Sequence, residues 1–70
     1  MYTKEITLQE AQPGTRYHLV GDISNGFGMD GCAIVSHEEV TRTITRITET
    51  HVICECGRRF IINQNLHIYA

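Results

Sequence analysis

Tryptophan is absent, lysine and proline occur once each, and leucine and alanine only three times each. So few of the best helix formers argue against a helical bundle. The longest uninterrupted apolar stretch is Cys32 to Val35. No segment is therefore expected to cross a bilayer or serve as a secretory hydrophobic region, and the chain reads as cytoplasmic with no membrane partner. Five arginines and one lysine against eight carboxylates leave a formal charge of −2, not the basic excess of a typical nucleic-acid module. Three cysteines cannot all pair within one chain, and Cys54 and Cys56 lie too close along one strand to bridge comfortably. Free thiols in a reducing compartment are the expectation.

What the sequence does hold is β-branched residues. Nine isoleucines, eight threonines and four valines stand among 70 positions, a composition suited to strands. A chain of this length has room for a core of about a dozen side chains, which excludes a multidomain enzyme. One domain over residues 1–70 is expected. Charge divides along the chain: residues 1–39 carry two cations against six carboxylates, and residues 40–70 carry four arginines against two.

Ile6 to Gly14 reads as a short amphipathic segment closed by the Pro13-Gly14 turn, and Arg16 to Val20 as a strand. Gly21 to Gly31 contains four of the six glycines together with Asp22, Ser24, Asn25 and Asp30. It is expected to be a long mobile loop, the commonest place for binding in so small a domain. Cys32 to Val35 fits a buried strand, and Ser36 to Glu39 a polar connection that has room for one helical turn. Thr41 to Thr48 is β-prone without a clean apolar parity, which a bulge near Thr45 or a two-sided exposed edge would reconcile. His51 to Cys56 and Arg59 to Asn63 flank Gly57 as a hairpin. A Cys56-Gly57 turn would set Glu55 against Arg58 and Ile53 against Phe60, whereas a Gly57-Arg58 turn would oppose Cys54 to Ile61. The first matches charge with charge and apolar with apolar. A last short strand starts at Asn65.

Two stretches carry a resemblance. ITLQEAQPGTRY, residues 6–17, resembles the opening of small barrels in which a Leu-x-Glu segment runs through Pro-Gly into a first long strand. ITRITETHVICECGRRF, residues 44–60, is similar to the central hairpin of short proteins encoded by phages and mobile elements. Those proteins are generally five-stranded barrels of the Src-homology-3-like type. The resemblance implies that fold, no catalytic residue, and an accessory protein that inhibits or adapts a host defence or transcription factor. Cys54 and Cys56 depart from it, standing where polar residues are common.

Gly26 to Gly31 matches GxGxxG, but the strand-like Cys32 to Val35 follows where a nucleotide fold needs a helix. Cys32, Cys54, Cys56 and four histidines offer enough ligands for a small zinc-stabilised domain, yet the two-residue spacer of a zinc knuckle is missing and both cysteines of Cys54-x-Cys56 suit small core residues. Cys32 and His37 lack a third orienting group for thiol catalysis. Glu38-Glu39 suits a solvated connection. No enzyme activity, cofactor or metal is expected.

The preferred reading is a non-enzymatic module that binds a partner protein through the glycine-rich loop, with Phe27 and Met29 as apolar anchors and Asp22, Asn25 and Asp30 around them. The alternative is a nucleic-acid-binding barrel using Arg42 and Arg46, placed on one strand face, with Arg58 and Arg59 at the hairpin tip and Tyr17, Phe60 and Tyr69 as stacking partners. Pairing of these arginines with Glu49 and Glu55 is the competing account. An exposed strand edge also leaves room for a homodimer.

Overall fold

A computed structural model describes residues 2–70. The chain forms one six-stranded antiparallel sheet: β1 (Glu5–Ile6), β2 (Arg16–Phe27), β3 (Ala33–Ile47), β4 (His51–Cys54), β5 (Arg59–Ile61) and β6 (His67–Tyr69). The spatial order is β1-β6-β2-β3-β4-β5, and β5 also reaches back to β2 through Ile23 and Phe60. Among the described residues six strands are present where five were expected, β1 being only two residues long. The all-β expectation holds.

Strands β2 and β3, 12 and 15 residues long, are far longer than the usual strand of about five or six residues. Their register runs without interruption from Arg16 opposite Thr43 to Ser24 opposite Val35, then shifts by one before Phe27 opposite Ala33. The expected Gly21 to Gly31 loop is therefore corrected: Gly21 to Phe27 belongs to β2, and the connection is only residues 28–32. Glycine at position 21 marks a close approach. A Cβ there would lie 3.2 Å from Leu66 Cδ1 and 3.4 Å from a Phe60 ring carbon, so the missing side chain lets both pack onto the strand. Ser36 to Glu39, expected as a polar connection, is the continuous interior of β3.

The core consists of Ala11, Tyr17, Leu19, Ile23, Ile44, Val52, Cys54, Phe60 and Ile68. On β2 the inward positions alternate through Tyr17, Leu19, Gly21 and Ile23, the period of two expected of a half-buried strand. The chain entering β2 is tied down locally. Thr7 and Glu10 bond reciprocally, the Thr7 backbone N–H to the Glu10 carboxylate at 3.0 Å and the Glu10 N–H to the Thr7 hydroxyl at 3.3 Å. The Gln12 N–H donates to the Tyr17 hydroxyl at 3.0 Å, holding the Pro13-Gly14 turn over the core.

A bulge at Thr45 is present: Ile44 faces Cys54, whereas Arg46 faces Ile53. The extra residue keeps Ile44 in the core while moving Arg46 to the opposite face. The β4–β5 hairpin adopts neither register considered from the sequence. Val52 faces Phe60 and Ile53 faces Arg59, across a three-residue loop of Glu55, Cys56 and Gly57. Gly57 has φ +84° and its N–H donates to the Cys54 carbonyl at 2.9 Å, the geometry of a turn whose last residue must be left-handed. This spacing puts Val52 and Phe60, both fully buried, on one face. Burial of a valine against a phenylalanine outweighs an exposed Glu55–Arg58 pair.

Candidate functional site

The two long strands outrun the core. Beyond Ile23 on β2 and before Ser36 on β3 the hairpin projects into solvent, giving the molecule an extent of 40 Å against 19 and 18 Å in the other directions. Phe27 is 77% exposed and Met29 109%, while Ile34 and Val35 are 45% and 50% exposed. The expectation that Cys32 to Val35 is a buried strand is corrected here: its last three residues are strand, and all are exposed. Among the described residues, β2 is the one strand that pairs with this segment.

The tip is nevertheless ordered by hydrogen bonds. The Gly28 N–H donates to the Cys32 carbonyl at 2.8 Å, the Gly31 N–H to the Gly28 carbonyl at 3.0 Å, and the Cys32 N–H to an Asp30 carboxylate oxygen at 3.0 Å. The Cys32 backbone N–H holds the Asp30 carboxyl below its ordinary value. Asp30 thus closes the turn. One register further in, the Asn25 amide donates to the Ser36 hydroxyl at 2.6 Å.

Asp22 does not join this group. Its carboxylate accepts from Asn65 at 3.0 Å, from Asn63 at 3.1 Å and contacts His37 at 3.2 Å. Those contacts, Asn65 first, then His37 and Asn63, hold its carboxyl below the usual range. Asp22 fastens the segment before β6 to the middle of the β2–β3 ladder, so its expected place beside Phe27 and Met29 is corrected. It is one of three histidine–carboxylate pairs across the strands: His37 with Asp22, His18 with Glu39 at 2.8 Å, and His67 with Glu5 at 2.9 Å. Pairing between residues 21 or more apart, as in the last two, leaves no mark in local sequence.

The four arginines divide into two pairs. The bulge at Thr45 separates Arg42 from Arg46, against the expectation that they share a face. Arg42 follows the inward parity of Val40 and Ile44 and donates to the Thr41 carbonyl at 2.7 Å. Arg58 pairs with Glu38 at 3.1 Å and approaches the Cys56 sulfur at 3.0 Å. Arg46 and Arg59 instead both face Ile53, one from β3 and one from β5, and both are exposed. Glu55 pairs with Arg16 at 3.3 Å, not with the arginines for which it was the expected partner.

The two cysteines of Cys54-x-Cys56 also part company. Cys54 is buried, and burial pushes its thiol up to about 11. Cys56 leaves the strand in the turn and is exposed. Partial burial opposes ionisation there, but hydrogen bonds and charge from Arg58, with a contribution from Arg42, hold its thiol below the ordinary value. The expectation that both cysteines serve as small core residues thus holds for Cys54 and is corrected for Cys56. Among the described residues no three His, Cys, Asp or Glu side chains are grouped to hold a metal ion.

An open cleft of about 560 Å³ lies where the projecting part of β2 passes the β4–β5 turn, lined by Ile23 to Phe27, Glu38 and Cys56 to Arg59. It connects the apolar tip with Arg58 and Arg59. Among the described residues no helix is long and apolar enough to cross a membrane. No protein-family model, curated protein or solved structure matches this chain.

Proposed function

We propose that the chain is a non-enzymatic interaction module that binds a partner protein through the projecting end of the β2–β3 hairpin, with Phe27 and Met29 as anchors. The observation that carries this reading is the exposure of both side chains on a hydrogen-bonded hairpin. A large apolar side chain held out on an ordered ladder loses little further freedom on docking, and such anchors commonly dominate an interface. The return pairing of β5 with β2 supports reading the curled sheet as a small barrel of the Src-homology-3-like type. The resemblance of residues 6–17 and 44–60 to phage and mobile-element barrels carries the reading to an accessory protein acting in the cytoplasm on a host defence or transcription factor.

The test is retention of a single protein from a bacterial lysate after nuclease treatment, compared between the wild-type chain and the Phe27→Ser, Met29→Ser double variant. The variant is expected to keep its melting temperature and lose the partner. Retention of the same protein by the variant refutes the assignment of the anchors.

The row Arg46, Ile53, Arg59 across β3, β4 and β5, with both arginines exposed, favours one second reading, contact with a nucleic-acid backbone. Binding would then weaken steeply with salt, and Arg46→Gln with Arg59→Gln would flatten the slope by about two. Binding indifferent to salt would rule it out.

A further inference from the structure

Among the described residues, no strand pairs with the outer edge of β3 beside the projecting hairpin. Residues 33–42 of β3 pair with β2 on one side, whereas β4 begins its pairing only at Ile44. Backbone direction along β3 is set by two bonds. The Ile44 N–H donates to the Thr15 carbonyl on the β2 side, and the Thr43 carbonyl accepts from the Glu55 N–H on the β4 side. Directions alternate along a regular antiparallel strand, and the register shift near the tip adds its extra residue to β2, not β3. Ala33, Val35 and His37 therefore turn their N–H and C=O groups to the vacant side.

Edges of this kind are normally blunted by lysine, proline or inward charge. Residues 33–37, Ala-Ile-Val-Ser-His, carry none of these, and the first charges inward of them are Glu38 and Glu39. We infer that this edge pairs with the same edge of a second copy of the chain, antiparallel about a two-fold axis at Val35.

Charge and polarity choose both occupant and register. With the axis at Val35, Val35 meets Val35, Ile34 meets Ser36 and Ala33 meets His37, giving five paired residues per strand without like charges opposed. Moving the axis to Ser36 sets Ile34 against Glu38. Moving it to His37 sets Val35 against Glu39, and moving it to Glu38 opposes the two Glu38 carboxylates, which is destabilising. The acidic pair thus excludes deeper overlap, while the segment outside it is self-complementary. The axis at Val35 also sets Met29 level with Thr41 of the second copy, two residues short of Thr43, whose carbonyl already accepts from Glu55 on the β4 side. Five paired residues bury far less than a standard interface of about 1,600 Å², so the dimer is expected to be weak and concentration-dependent. The inference goes beyond the partner-binding reading: Phe27 lies on β2, one strand away from this edge, and takes no part in the new ladder.

Two measurements test it. Equilibrium sedimentation across micromolar to millimolar concentration is expected to show a monomer–dimer equilibrium for the wild-type chain. Val35→Lys, which opposes two lysines on the axis, should weaken it about tenfold or more. Phe27→Ser alone, one strand away from the paired edge, should leave the equilibrium constant within about twofold, although loss of this anchor should weaken capture of the partner protein. Register is read by cross-linking in a Cys32→Ser, Cys56→Ser background. Val35→Cys should form a covalent dimer under mild oxidation, because facing residues at the axis lie about 5.5 Å apart, within disulfide reach, and His37→Cys should not. A wild-type monomer throughout, a dimer indifferent to Val35→Lys, or equal cross-linking at both positions would each overturn the inference. None of these outcomes alters whether the Phe27 and Met29 variant keeps its partner.

Discussion

The two ends of the β2–β3 hairpin share a backbone and differ in almost everything else. At the near end Tyr17, Leu19 and Ile23 alternate into the core and β6 pairs along His18 to Val20. At the far end the same ladder continues past the core, with Phe27 and Met29 in solvent and pairing on one side only. Backbone hydrogen bonding is indifferent to what the side chains bury, so β-prone residues extend a ladder as far as the register allows. Core packing supplies the stability and the ladder supplies reach. Elements that open or bind tend to come from such sparsely packed regions.

The widest test of this contrast replaces a phenylalanine at each end. Phe60→Ala removes a ring that is fully buried against Val52 and Gly21, with an expected loss of about 3–5 kcal/mol in urea unfolding. Phe27→Ala should change stability by no more than about 0.5 kcal/mol. Comparable losses at the two sites would break the comparison.

A smaller effect is expected at the β4–β5 turn. A Cβ on Gly57 would meet nothing within 4 Å, yet its φ is +84°, so Gly57→Ala isolates the backbone term. It should cost about 1–2 kcal/mol in thermal or urea unfolding. A neutral result would show that the three-residue loop relaxes to another form.

Amide hydrogen exchange sharpens the boundary without mutation. Leu19 to Ile23 should exchange only with global unfolding, whereas Asn25 to Val35 should exchange at least about tenfold faster, through local opening. Uniform protection along both strands would contradict a ladder held up mainly at its near end.

The smallest effect concerns Asp22, which ties the middle of the ladder to Asn63 and Asn65. Its folded value lies below the ordinary 3.8. Its contribution is therefore present above the unfolded value and is lost as pH falls through the depressed folded value. Melting temperatures of the wild-type chain and Asp22→Asn should differ at neutral pH and converge as pH falls through and below the ordinary carboxylate range. A difference unchanged by acid would remove the carboxylate from the account.

Much of the architecture is legible in the residues. The β-branched composition foretells an all-β sheet, Pro13-Gly14 and Gly57 mark turns, and the mixed parity of Thr41 to Thr48, which left a bulge near Thr45 and a two-sided exposed edge open, resolves as the bulge. Phe27 and Met29 stand out as apolar residues among glycines. The glycine-rich stretch misleads because glycine density resembles loop chemistry. Gly21 serves close packing within a strand, and the ladder carries Asp22 to Phe27 as its continuation. Ile34 and Val35 mislead in the opposite way: an apolar run implies burial only if another element arrives to cover it.

By itself the sequence determined the strand-rich class, the turns and the composition of the vacant edge, since these follow from local backbone preference and side-chain chemistry. The tertiary structure alone decided the far end of the hairpin, the division of Arg42 and Arg58 from Arg46 and Arg59, the separate environments of Cys54 and Cys56, and the histidine–carboxylate pairs. Each depends on register between distant segments. A shift of one residue there exchanges the faces of a strand, and only packing of the whole core selects which shift prevails.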